Sequence, residues 1–92
     1  MSDVAADLHI TGYVQGVGYR YYFYRVAKQL HLTGWVRNMP DGTVSAHVEG
    51  DRGSIETLVK DLRIGPSGAH VKDVDVHWAA FTGRFPSFDI AG

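Results

Sequence analysis

Apolar and polar residues alternate along the first part of the chain, from Leu8 to Val14. A period of two predicts a strand with one buried face. From position 19 onward, apolar residues instead recur three and four positions apart, which predicts an amphipathic helix. The apolar positions of this helix are Tyr19, Phe23, Val26, Ala27 and Leu30. We expect the helix to end near Thr33 and Gly34, because glycine readily takes the left-handed conformation that closes a helix.

A hairpin follows the first helix. Residues 35–38 predict a second strand, and residues 43–48 predict a third that returns beside it. Between them stand Pro40, Asp41 and Gly42, residues that favour a tight turn.

The remaining third of the chain repeats the order of helix and strand. A second helix begins after the segment 50–54, with an apolar stripe made of Ile55, Leu58, Val59 and Leu62. The cluster Gly65–Gly68 ends this helix, and residues 71–78 predict a fourth strand. Residues 85–90 fit a short fifth strand at a sheet edge, because Pro86 has no N–H to donate to a neighbouring strand.

The order β-α-β-β-α-β identifies the fold class. Two β-α-β units joined by a hairpin predict an α+β, ferredoxin-like split βαβ sandwich. In that fold, two helices cover one face of an antiparallel sheet, here of four or five strands. We expect residues 1–92 to form a single domain, with residues 1–6 as a flexible N-terminus.

Size, charge and cysteine content exclude several classes of function. The chain has 92 residues, of which 45% are hydrophobic, so it has room for one core. A net charge of −1 provides no long-range field to collect polyanions, so we expect no nucleic acid partner. The lack of cysteine excludes disulfides and thiol nucleophiles. Without a signal-peptide pattern or a long apolar run, we expect a cytoplasmic protein that does not contact membranes.

The stretch Gln15-Gly16-Val17-Gly18-Tyr19-Arg20 joins the first strand to the first helix. Backbone N–H groups at a helix start lack partners within the helix, and together with the helix dipole they favour an anion. Glycines allow the backbone to fold closely around an oxyanion, and the guanidinium of Arg20 matches phosphate oxygens. The stretch therefore predicts a phosphate-binding loop, although a tight turn followed by a solvated arginine explains the same residues.

Asn38 stands at the end of the second strand. The β-α-β connection makes the first two strands parallel, so their C-terminal ends share one side of the sheet. With the third strand between them, the two ends are roughly 10 Å apart. A bound phosphate and the side chains of Arg20 and Asn38 fill such a gap, but Asn38 also suits a simple turn.

Two segments resemble known sequence signatures. Val14–Arg20 followed by Gly34–Asn38 resembles the two signatures of the acylphosphatase family. The resemblance covers nearly the whole chain, since it continues through Asp41–Val44, Glu49–Gly50, Gly65–Pro66 and Phe88–Ile90. The main difference is Tyr19, where the family often has phenylalanine.

The resemblance implies a small hydrolase that cleaves acyl phosphates without a metal or other cofactor. Its catalytic residues are then Arg20, which binds the substrate phosphate, and Asn38, which orients the attacking water. The phosphate-binding residues are Gln15, Gly16, Val17, Gly18, Tyr19 and Arg20. We expect a monomer whose partner is a small-molecule acyl phosphate.

The remaining polar residues give no specific indication of a functional site. The five histidines lack the spacing of metal ligands, so we expect packing or surface roles. Asp41, Glu49 and Asp51 lie in and after a hairpin, where solvated positions are expected.

Two alternatives to an enzyme stay open at this point. The aromatic run Tyr19–Tyr24 and the strand order together allow an RNA-binding module, but the run lies on a helix and the charge is slightly negative. A regulatory domain that binds an anion without turnover uses the same loop. Asn38 favours the enzyme.

Overall fold

The computed structural model describes residues 2–91, which fold into two helices and one five-stranded sheet. The elements are β1 (Asp3–Tyr13), α1 (Tyr19–Gln29), β2 (Thr33–Asn38), β3 (Val44–Asp51), α2 (Arg52–Ile64), β4 (His70–Ala80) and β5 (Phe88–Ile90). Both helices contribute to the same hydrophobic cluster and contact each other, so they cover one face of the sheet. This architecture confirms the predicted ferredoxin-like α+β sandwich. Neither helix has the length and apolar character needed to span a bilayer.

The sheet has the strand order β4-β1-β3-β2-β5. β1 runs antiparallel to both β3 and β4, and β2 runs antiparallel to β3. β3 lies between β1 and β2 and pairs antiparallel with each, so these two strands are parallel, as the β-α-β connection predicts, and end on the same side. β5 differs from the expected antiparallel arrangement because it pairs in parallel with β2. After β4, the chain crosses to the opposite edge of the sheet, and it enters β5 in the direction of β2.

The N-terminal strand begins earlier than its alternation predicts. Asp3 pairs with Asp51, and the side chains of Ala5 and Ala6 are completely buried. The expectation of a flexible N-terminus is therefore wrong for residues 3–6, and residue 1 lies outside the described residues. The strand extends this far because both neighbouring strands are long enough to pair with its start.

The first helix ends at a residue that the sequence does not mark. His31 has a φ of 59°, in the left-handed region that glycine usually occupies after a helix. The N–H of His31 donates to the carbonyl of Lys28, and the N–H of Leu32 donates to that of Ala27. These two bonds satisfy carbonyls of the last turn, so the helix ends before the predicted Thr33–Gly34.

Gly34 has another role. It belongs to β2 and has a φ of 129°. A Cβ at this position would clash with the backbone carbonyl of His47 on β3. Gly34 therefore allows close approach of two strands, and its prediction as a helix cap is wrong.

A hydrogen-bonded cluster around the buried carboxylate of Glu49 fixes the segment between β4 and β5. The carboxylate of Glu49 accepts hydrogen bonds from the N–H groups of Thr82 (3.1 Å) and Gly83 (2.9 Å) and from the hydroxyl of Thr82 (2.7 Å). His47 Nε2 lies 2.7 Å from the same carboxylate, and His47 Nδ1 lies 2.8 Å from Asp7 Oδ1. Only 1% of Glu49 is exposed, so its prediction as a solvated edge residue is wrong. Burial is tolerated because the carboxylate is fully engaged by donors.

The two other acidic residues of the hairpin region, Asp51 and Asp41, accept hydrogen bonds from residues close to them in sequence. Asp51 is the N-cap of α2 and accepts a hydrogen bond from the N–H of Ser54 at 3.1 Å. Asp41 is an exposed turn residue that accepts from both the N–H and the hydroxyl of Thr43, as a hairpin residue is expected to do.

The cluster also shifts two pKa values. Burial alone would raise the pKa of Glu49, but the hydrogen bonds from His47, Thr82 and Gly83 outweigh it and lower the pKa to about 2. Burial alone would lower the pKa of His47, but its bonds to Glu49 and Asp7 raise it above the usual 6.5. Glu49 thus adds stability above its usual pKa of 4.5 and loses it as the pH falls towards 2. His47 adds stability below 6.5 and loses it as the pH rises past its raised pKa.

We predict that Glu49→Gln lowers the free energy of unfolding by about 3 kcal/mol near pH 5.5, because it removes the buried negative charge that faces the imidazolium of His47 and the donors of Thr82 and Gly83. Urea unfolding at a series of pH values measures this. The wild type should lose stability steeply between roughly pH 4.5 and 2, whereas the variant should lose less over the same range.

Glu56→Gln is the matched control. Glu56 and Arg52 form an exposed pair one helical turn apart, with 3.4 Å between Arg52 Nε and Glu56 Oε2. Such pairs contribute less than about 0.5 kcal/mol. Equal effects of the two substitutions would contradict a stabilising role for the buried cluster.

Candidate active site

The segment between β1 and α1 turns through two glycines with left-handed backbone. Gly16 has a φ of 75° and Gly18 has a φ of 79°. Gly18 is the N-cap of α1 and supplies no side chain to cap the helix, while its carbonyl accepts the N–H of Tyr22 at 3.0 Å. A Cβ at either glycine would meet no atom within 4 Å. The space beside these two glycines is therefore open, and a helix start offers its first backbone N–H groups to an anion.

A cavity of about 200 Å³ lies against this turn. It is formed by the end of β1, the start of α1 and the ends of β2 and β5. Its lining residues are Val14, Gly16, Gly18, Tyr19, Arg20, Tyr21, Asn38 and Ile90. Arg20 and Asn38, far apart in sequence, thus line one cavity.

Asn38 reaches the cavity because of strand alternation. Gly34 and Val36 are the buried residues of β2, so Asn38, the next residue of that series, faces the helix-covered side of the sheet. Its Oδ1 atom is buried and makes no hydrogen bond to any residue that the structure describes. Buried polar atoms are rarely left without a partner, since this costs roughly 1–3 kcal/mol. Asn38 therefore offers an acceptor to whatever enters the cavity.

Gln15 acts beside the cavity and is absent from its lining. Its amide nitrogen donates to the carbonyl of Met39 at 2.8 Å and to that of Thr43 at 2.9 Å. These two carbonyls belong to the β2–β3 hairpin directly after Asn38. Gln15 thus ties the glycine turn to the hairpin and sets the position of Asn38 relative to the turn.

The other predicted loop residues divide into two groups. Gly16, Gly18, Tyr19 and Arg20 line the cavity, whereas Val17 does not and packs partly buried against the core.

Tyr19 anchors the start of α1. Its ring is buried, and its hydroxyl donates to the carbonyl of Leu62 in α2 at 2.8 Å. Burial, with a smaller contribution from Tyr22, raises the pKa of this phenol well above its usual value of 10. The hydroxyl is therefore a structural donor to α2.

Sequence reasoning missed three lining residues. Val14 ends the predicted first strand. Its position directly before the glycine turn is the one sequence signal that could have assigned it to the cavity. Ile90 reaches the cavity through the parallel pairing of β5 with β2, where it stands opposite Val36. Tyr21 belongs to a run of aromatic residues, most of which pack against other residues, so the sequence alone does not distinguish it from them.

The cavity is lined by one cation and one amide without a histidine or carboxylate. Across residues 2–91, no three His, Asp or Glu side chains gather in a group that would hold a metal ion. The arrangement can bind an anion through N–H groups and a guanidinium, and it presents one acceptor to a water molecule.

We predict that Gln15→Leu lowers the free energy of unfolding by about 2 kcal/mol, because two side-chain hydrogen bonds are lost and the carbonyls of Met39 and Thr43 keep only their backbone donors. Displacement of Asn38 should also reduce the turnover of an acyl phosphate by at least about tenfold. Urea unfolding and steady-state assays measure the two effects. Gln29→Leu, at an exposed position of α1, is the control and should leave both unchanged; full activity in the Gln15 variant would contradict the positioning role.

The sequence and the fold are both similar to those of known proteins. The family model described as Acylphosphatase matches residues 6–90. The acylphosphatase of Nocardioides sp. is 56% identical over 72 residues, which cover 78% of this chain and 73% of that protein. The acylphosphatase of Thermococcus kodakarensis is 49% identical over 78 residues, covering 85% and 86%. The crystal structure of acylphosphatase from Bacillus subtilis is similar with a TM-score of 0.93 and 29% identity, covering 97% of this chain and 99% of that one. The chain therefore belongs to the acylphosphatase family.

Proposed function

We propose that this protein hydrolyses acyl phosphates through the cavity that Arg20 and Asn38 line. Hydrolysis of acyl phosphates is the activity of the family to which the chain belongs. In the proposal, the N–H groups of residues 15–20 and the guanidinium of Arg20 bind the phosphoryl group, and Asn38 orients the attacking water. The observation that carries these roles is the buried, unpaired Oδ1 of Asn38 in the same cavity as Arg20.

The chemistry of the substrate explains why so few groups suffice. An acyl phosphate is the mixed anhydride of a carboxylic acid and phosphoric acid. Its leaving group is a carboxylate with a pKa of roughly 4, which departs as a stable anion at neutral pH. A general acid is therefore unnecessary, in keeping with a cavity lined without histidine or carboxylate.

The phosphoryl group needs positive charge around its oxygens. In a loose transition state, negative charge spreads over the three equatorial oxygens, so catalysis depends on positioning and electrostatic stabilisation. The N–H groups at the start of α1 and the guanidinium of Arg20 supply both. The left-handed turns at Gly16 and Gly18 support this role, because they leave the space beside the backbone open.

Asn38 supplies orientation. Its amide is too weak a base to remove a proton, but Oδ1 can accept a hydrogen bond from water and fix the direction of attack. The bond from phosphorus to the water oxygen forms as the bond to the carboxylate oxygen breaks. The proton of the water passes to a phosphate oxygen, so the products are a carboxylate and inorganic phosphate.

We also propose a domain organisation, metal independence, an oligomeric state and a location for the protein. The continuous hydrophobic cluster supports a single domain over residues 1–92. We further propose activity without a metal, as a monomer in the cytoplasm, where a chain that contains no cysteine needs no disulfide to fold. Hydrolysis of benzoyl phosphate in excess chelator tests the reaction class and the metal independence together.

Arg20→Gln should reduce the turnover of benzoyl phosphate by about a thousandfold or more, the effect of removing a guanidinium from a phosphoryl transition state. Arg25→Gln, at an exposed position of the same helix, should retain wild-type turnover. Steady-state assays of both variants measure the difference. Wild-type turnover in the Arg20 variant would rule out this role for the guanidinium.

Asn38→Ala should reduce turnover by about a hundredfold to a thousandfold, because one positioned polar contact is lost in the transition state. Inhibition by inorganic phosphate should persist, since the N–H groups and Arg20 remain. Measuring the turnover and the phosphate inhibition constant of the same preparation separates the two effects. Loss of phosphate inhibition would assign Asn38 to anion binding instead of water orientation.

A further inference from the structure

One large aromatic side chain is exposed at the opening of the cavity. Tyr21 lines the cavity beside Arg20, and 62% of it is exposed. The neighbouring rings of the aromatic run are used in packing, since Tyr19 and Phe23 are buried and Tyr22 packs partly buried against the core. Tyr21 is thus available to whatever occupies the cavity.

The ring of Tyr21 is held in place from behind. It stacks on the ring of Tyr24, with centroids 6.3 Å apart and an angle of 26° between the planes. Tyr24 in turn contacts Phe88, a buried residue of β5, at a centroid distance of 6.4 Å. The exposed ring is therefore oriented by contacts that lead into the core, and binding a flat group against it loses little side-chain entropy.

An apolar residue of another element completes the opening. Ile90 of β5 also lines the cavity and is 41% exposed. The N–H of Ala91 donates to the carbonyl of Val36 at 2.8 Å, which fixes Ile90 at the sheet edge. Oδ1 of Asn38 is buried, whereas Tyr21 and Ile90 are exposed. The cavity thus has a polar acceptor in its interior and two exposed apolar side chains at its rim.

We propose that Tyr21 and Ile90 form the binding site for the acyl group, with Tyr21 as the main contact. This inference rests on the proposed function, in which the phosphoryl group occupies the polar interior. The organic part of the substrate then extends to the rim, where an aromatic acyl group stacks on the ring of Tyr21. The protein accordingly prefers aromatic acyl phosphates to acetyl phosphate, whose methyl group is too small to cover the ring.

The test compares kcat/KM for benzoyl phosphate with kcat/KM for acetyl phosphate. Stacking of two rings contributes roughly threefold to tenfold, so Tyr21→Ala should lower the benzoyl-to-acetyl ratio by about fivefold. Dividing the ratio of the variant by that of the wild type cancels the different intrinsic reactivity of the two anhydrides. Tyr21→Phe keeps the ring and should keep the ratio.

Tyr13→Ala is the matched control, because Tyr13 is also 62% exposed but does not line the cavity. Its ratio should equal that of the wild type. An unchanged ratio in Tyr21→Ala, or an equal fall in Tyr13→Ala, would overturn the acyl site while leaving the hydrolase function intact.

A second readout does not depend on turnover. Phenylphosphonate and methylphosphonate carry the same kind of anion on an aromatic or a small group. Tyr21→Ala should weaken the binding of phenylphosphonate by about fivefold and that of methylphosphonate much less. If the wild type binds phenylphosphonate in this Tyr21-dependent way but hydrolyses neither acyl phosphate, the proposed function fails and the apolar site stands. Equal losses for both phosphonates would overturn the site.

Discussion

The parallel course of β1 and β2 is the constraint on which the rest of the site depends. Because β3 lies between them and pairs antiparallel with each, both strands end on one side of the sheet. The glycine turn follows one end, and Asn38 stands at the other. The side chain of Gln15 spans the gap with two hydrogen bonds to the hairpin. A change in the register of β2 by one residue would turn Asn38 to the opposite face of the sheet and empty the cavity of its acceptor.

In the proposed mechanism, few functional groups suffice because the substrate is already activated. Arg20 and the backbone of the first turn would provide positive potential, and Asn38 would orient the attacking water. An uncharged acceptor in this position avoids the additional negative charge beside the phosphoryl group that a carboxylate would bring. Leaving Oδ1 of Asn38 without a hydrogen bond costs free energy in the folded chain. A hydrogen bond from the attacking water can offset that cost.

The order of helices and strands along the chain, and the location of Arg20 and Asn38 on one side of the sheet, were predictable from the sequence because they follow from local patterns. Alternation, turn residues and the two signatures identified the loop and Asn38. Glu49 was misassigned, since its donors Thr82 and Gly83 lie more than thirty positions away and no local pattern announces them. The end of α1 was misassigned because His31 adopts a conformation that usually requires glycine.

Ile90 and Tyr21 could not be assigned to the cavity from the sequence for a similar reason. Ile90 joins the cavity because the chain crosses from β4 to the opposite edge of the sheet, where β5 pairs in parallel with β2. Sequence periodicity carries no information on which edge a short strand joins. Tyr21 looked like its aromatic neighbours, and only the packing of Tyr19 and Phe23 separates it from them. Long-range partners and the exposure of individual side chains are properties of the assembled fold.

The segment 81–90 and the glycine turn contribute different walls of the cavity. The groups assigned to the anion, the glycine turn and Arg20, belong to the first third of the chain, whereas the wall contributed by Ile90 is delivered by a short strand anchored through Glu49. Insertions or substitutions between β4 and β5 can therefore reshape one wall of the opening while the anion site keeps its geometry. One wall of the proposed acyl site can thus change independently of the anion site, whereas Tyr21, its main contact, is fixed next to Arg20 in α1.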